Sequence, residues 1–75
     1  MLHLMREQAQ ARIAVLQKQE ALEIDIRRTI EQALYEAQCE SDTFRISVLK
    51  ARWSIQHENV MRVHNSVRLL QQMYK

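Results

Sequence analysis

Besides its nine carboxylates, four side chains of this chain have the chemistry to bind a metal or to act as an acid, base or nucleophile: His3, His57, His64 and the single cysteine, Cys39. Ligands or catalytic partners that share a point in space from one helix sit about one turn apart, in His-x-x-x-His or Glu-x-x-His spacing. Neither spacing occurs. His57 and His64 stand two turns apart, about 10.5 Å along a helix axis, too far to share an ion. Cys39 has no second thiol, which rules out an intramolecular disulfide framework and fits a reducing compartment. The histidines are therefore expected to be solvated or interfacial, and the cysteine an exposed but inert residue. With no glycine anywhere there is neither a phosphate-cradling loop nor the sharp turn of a nucleophile elbow. The expectation is a protein that is not an enzyme and takes no cofactor or metal.

The second chemistry to consider is nucleic-acid binding. Arg45, Arg52 and Arg62 fall on one broad side of a helix at 100° per residue, whereas Lys50 and Arg68 lie apart from them. Trp53 and Tyr74 have the rings for base stacking, but Trp53 is needed elsewhere. The overall balance of 11 Lys and Arg against 9 Asp and Glu, a net charge of +2, is too small to indicate nucleic acid by itself. Its distribution is uneven. Residues 1–38 carry five basic and six acidic side chains and residues 39–75 six basic and three acidic, so the two halves have complementary charge.

The elements that carry these residues are helices. A chain of 75 residues without glycine or proline lacks the residues that build tight hairpin turns, and it is filled with Ala, Leu, Gln, Glu, Arg and Met, all good helix formers. In the second half, alternating steps of three and four select Ile46, Leu49, Trp53, Gln56, Val60, Val63, Val67, Leu70 and Tyr74. Eight of these nine are apolar, the seam of a left-handed coiled coil. Gln56 is its polar member, either a register-fixing buried amide or a solvated gap.

The first half is less regular. Counted back from Ala37, the same rule gives Ala37, Ala33, Ile30, Ile26, Glu23, Gln19, Leu16, Arg12, Ala9, Met5 and Leu2, apolar at the ends and polar inside. Glu23, Arg27 and Glu31 add an i, i+4 ladder of alternating sign. The two seams are out of phase between residues 37 and 46, where Cys39-Glu40-Ser41-Asp42-Thr43 is rich in capping and turn residues. Ser41 or Asp42 is expected to cap the second helix.

The chain is thus expected to be one all-α module over residues 1–75: a helix over about 2–38, a turn over about 39–43 and a helix over about 43–75, folded as an antiparallel hairpin with coiled-coil packing. The alternative is one continuous helix about 110 Å long. The hairpin is preferred because the phase slip coincides with the capping residues. Facing residues then have numbers adding to about 82 or 83, which sets Ala37 by Ile46, Ala33 by Leu49, Ile30 by Trp53, Ile26 by Gln56, Leu16 by Val67 and Ala9 by Tyr74. It also brings Glu7 near Lys75, Glu20 near Arg62 and Glu31 near Arg52, with Asp25 and Glu58 as a like-charge exception.

A hairpin of this size leaves apolar surface over. Phe44, Val48, Ala51 and Ile55 follow one another at helical spacing off the seam. Leu2, Met5, Ala9, Ile13 and Leu16 make a second patch able to receive a partner helix. The expected interface residues are Leu2, Met5, Ile13, Leu16, Phe44, Ile46, Val48, Leu49, Trp53, Ile55, Val60, Val63, Val67, Leu70 and Tyr74. The expected function is a small coiled-coil adaptor, scaffold or co-chaperone that completes a four-helix bundle with a second copy or a partner's helix. Nucleic-acid binding by a hairpin dimer, through Arg45, Arg52 and Arg62, is the alternative. In general shape such a hairpin resembles the small helical-hairpin dimers that regulate plasmid RNA and the short hairpin chaperones of bacterial secretion systems. That resemblance is architectural and carries over no functional residue. No uncharged run approaches the roughly 18 residues of a membrane span, no signal peptide is apparent at the start, and a cytoplasmic location is expected.

Overall fold

The computed structural model describes the backbone of residues 2–74 and the side chains of residues 5–74. Two helices, α1 (Leu2–Cys39) and α2 (Thr43–Met73), pack antiparallel into a hairpin 59 × 14 × 13 Å in extent. The continuous rod is excluded by that length. No strand occurs among the described residues.

The reversal is made without glycine. The Asp42 amide donates to the Ala37 carbonyl at 3.0 Å and the Ser41 amide to the Gln38 carbonyl at 3.1 Å. This is the paired pattern that closes a helix by a Schellman motif, and it needs one residue in the left-handed region. Ser41 takes that role with φ 57°. The next residue, Asp42, caps α2: its backbone is extended (φ −84°, ψ 90°) and its carboxylate accepts from the Arg45 amide at 3.1 Å. Helix stop and helix start are therefore adjacent residues, and the chain turns back within Glu40, Ser41 and Asp42. Arg45 Nη1, 3.4 Å from a Glu40 carboxylate oxygen, closes the turn from outside.

All nine members of the α2 seam, from Ile46 to Tyr74, are buried or half-buried. The α1 seam differs from the expected one. Buried and half-buried side chains run Ala9, Ile13, Leu16, Glu20, Glu23, Arg27, Ile30, Leu34 and Ala37, the same alternation begun with a step of three back from Ala37 instead of four, with Ile24 and Ala33 half-buried beside it. Every second member moves by one residue. Ile13 and Leu34 go inward where the expected phase offered Arg12 and Ala33, so the ends of the seam gain two large aliphatic groups. In the middle Ile26 is left 48% exposed and Arg27 turns in.

The core is thin. Its large aliphatic members are Leu16, Leu49, Val60, Val63 and Val67, with Ala9 and Ala37 sealing the ends. Leu16, Val63 and Val67 form a cluster backed by Ile13 and Leu70. Each such side chain contributes about 1.5–3 kcal/mol on burial, a small set for holding 75 residues.

Candidate functional surfaces

Between the apolar ends of the hairpin lies a polar middle layer. The buried Gln56 amide donates through Nε2 to the Glu23 carbonyl at 2.9 Å and also to the Glu23 carboxylate, while its Oε1 accepts from Asn59 Nδ2 at 3.5 Å. One turn toward the tip, Arg27 Nη1 lies 2.9 Å from His57 Nδ1. A guanidinium has no acceptor, so the imidazole nitrogen supplies the lone pair. The His57 ring is stacked on Trp53 at 4.7 Å between centroids and 8° between planes. Toward the open end, His64 Nδ1 meets a Glu20 carboxylate oxygen at 3.0 Å. Buried within the layer, Arg27 Nε has no hydrogen-bond partner.

Gln56 thus satisfies the first of its two readings, a seam amide with a partner on the other helix. His57 and His64 are not paired with each other, and each bridges to α1; the His3 side chain lies outside the described residues. Among the described residues no group of three or more His, Cys, Asp or Glu side chains is placed to hold a metal ion. Cys39 is exposed. The layer ties the two helices together through Glu20, Glu23 and Arg27 of α1 and Gln56, His57 and His64 of α2.

Partner placement follows from the corrected register. Ile26 does not face Gln56; Glu23 and Arg27 occupy that level. Glu20 meets His64 instead of Arg62. Glu31 shares a groove with Lys50 and is not beside Arg52. The Glu7 and Lys75 pair falls partly outside the described residues.

Heptad geometry divides the exterior into two flanks. With Ile13, Glu20, Arg27 and Leu34 at a in α1, and Ile46, Trp53, Val60 and Val67 at a in α2, the e and b positions of both helices share one flank of an antiparallel pair and the g and c positions the other. The e and b flank holds a groove of about 510 Å³ near the turn, lined by Glu31, Leu34, Tyr35, Gln38, Lys50, Trp53 and Ser54. The g and c flank is richer in exposed apolar groups. Among the described residues it carries eight of the eleven large hydrophobic side chains left exposed, and also Arg12, Arg45, Arg52 and Arg62.

The residues expected at an interface therefore separate into two classes. Leu16, Leu49, Val60, Val63 and Val67 are buried inside the hairpin, and Ile13, Ile46, Trp53, Leu70 and Tyr74 are half-buried along the same seam. Met5, Phe44, Val48 and Ile55 are exposed, Phe44 by 80%; the Leu2 side chain lies outside the described residues. The patch from Met5 to Leu16 is not an open acceptor for a partner helix, because Ala9, Ile13 and Leu16 already meet α2. Ile26 and the α1 half of the outer surface, Val15 and Leu22, gain the importance that this patch loses. Val15 and Leu22 are legible in the sequence as apolar residues off the seam, whereas the exposure of Ile26 depends on the phase of α1.

No helix among the described residues is long and apolar enough to cross a membrane. No protein-family model, curated protein or solved structure matches this chain.

Proposed function

We propose that this chain is a non-enzymatic interaction module, a small adaptor, scaffold or co-chaperone that completes a helical bundle with a second copy or with a partner's helix. One observation carries this reading: among the described residues, eleven large hydrophobic side chains are 38–80% exposed on a hairpin whose own seam is already filled. Apolar surface of that extent on a thin two-helix layer is characteristic of a module that packs against further helices. Sedimentation equilibrium combined with small-angle scattering tests it. An assembly of about twice 9.0 kDa, or a mixed complex with a helical partner, is the expected result. A fully folded monomer whose melting temperature is independent of concentration rejects it.

The clustering of Arg12, Arg45, Arg52 and Arg62 on one flank favours nucleic acid as the second reading. Binding that falls steeply as salt rises would support it. The arginines are interleaved with aliphatic side chains instead of aromatic ones, which suits a protein surface better than a stacking platform.

A further inference from the structure

Building on that reading, we infer that a second copy of this chain covers the g and c flank, in a four-helix dimer whose two-fold axis runs along the hairpin so that both turns lie at the same end. Three observations converge. First, the flank is apolar at matched heights on both helices: Val15 is level with Leu69, Ile26 with Ile55 and Ala33 with Val48, so each rung spans the whole face. All of these except Ala33 are among the exposed large hydrophobic residues. Second, the area is right. A face 59 × 14 Å covers about 800 Å² per copy, the amount one partner contributes to a standard stable interface.

Third, the charges choose the orientation. An axis along the hairpin keeps every residue of one copy at the height of the same residue in the other, and sets α2 across from the partner's α1. Arg45, near the turn, then faces the level of Glu36 in the second copy. An axis perpendicular to the hairpin inverts heights, and it would set Arg45 against Arg12 and Arg52 against Arg62 of the second copy. Like charges confronted in an interface are strongly disfavoured. Self-association with both turns together is the arrangement that buries the rungs and opposes unlike charges.

Cys39, single and exposed beside the turn, supplies the probe. A nitroxide attached there gives, by pulsed dipolar spectroscopy on the full chain, a distance of about 20–30 Å when two turns sit at one end of a bundle of helices spaced 8–10 Å apart. A distance approaching the 59 Å length of the molecule means an inverted dimer and overturns the inference while leaving the interaction-module reading intact. The double variant Leu22→Glu, Ile55→Glu is expected to raise the dimer dissociation constant about a hundredfold or more with unchanged helical circular dichroism, since both side chains are more than 60% exposed in the hairpin. Tyr35→Glu with Met61→Glu, on the other flank, should leave the dimer unchanged. The reverse pattern overturns the inference in favour of the grooved flank. Absence of any dipolar interaction, with a monomer in sedimentation, overturns both this inference and the proposed function.

Discussion

At the scale of single residues, the middle of the hairpin sets uniqueness against stability. Gln56 is 8% exposed, and its Nε2 donor is satisfied by Glu23 opposite it. A half-satisfied polar layer is worse than an apolar one. Replacing Gln56 by leucine is therefore expected to cost about 1–3 kcal/mol by leaving the Glu23 carboxylate against aliphatic carbon. Replacing both residues by leucine should recover that loss or exceed it. Urea denaturation of the two single variants and the double one checks this, and strictly additive effects would show that the pair is not coupled. Arg27 offers a separate expectation. Its Nε is buried without a partner while its Nη1 meets His57, so Arg27→Met removes an orphaned donor and a hydrogen bond together, and the unfolding free energy from urea titration should change by no more than about 1 kcal/mol.

At the scale of elements, two helices and their junction were largely legible from composition and capping chemistry. The absence of glycine and proline and the heptads from Ile46 to Tyr74 specify α2 completely, and Asp42 is the cap at its start. The phase of α1 was harder to read. Counting from Ala37 allows two interleaved seams, one through Ala33 and Ile26 and the other through Leu34 and Arg27. Local hydrophobicity favours the first in the middle and the second at the ends. The opposite helix favours the second: His57 offers a hydrogen-bond partner that Ile26 could not use and Arg27 does, and His64 meets the Glu20 carboxylate. A one-residue choice made by a partner 30 or more residues away is invisible to a periodicity count on one helix. The junction gives its own prediction. Ser41 holds φ 57° without being glycine, and a non-glycine residue there is strained by about 1 kcal/mol. Ser41→Gly should therefore stabilise the hairpin by about 0.5–1 kcal/mol, whereas Asp42→Ala should destabilise it by about 1 kcal/mol through loss of the cap. Thermal melts of both variants, moving in opposite directions, are the check.

At the scale of the whole molecule, the ratio of core to surface makes assembly and folding one equilibrium. A single layer of seam side chains leaves even the core members Leu16 and Val63 at 7% and 8% exposure, and a domain this small buries only about 60% of what its unfolded chain exposes. If the outer flank is covered by a second copy, unfolding of the dimer releases two chains, and its free energy rises by about 1.4 kcal/mol for each tenfold increase in protein. Unfolding entropy near 2.1 cal/mol/K per residue, taken over two chains of 75 residues, is about 0.3 kcal/mol/K. The melting temperature should then climb by about 4 °C for every tenfold rise in concentration. The Leu22→Glu, Ile55→Glu variant should lose that dependence, because a lone hairpin melts in a unimolecular step. Scanning calorimetry or circular dichroism across a hundredfold concentration range separates the two behaviours: a melting temperature that does not move in the unaltered chain would mean that the hairpin, thin as its core is, stands alone.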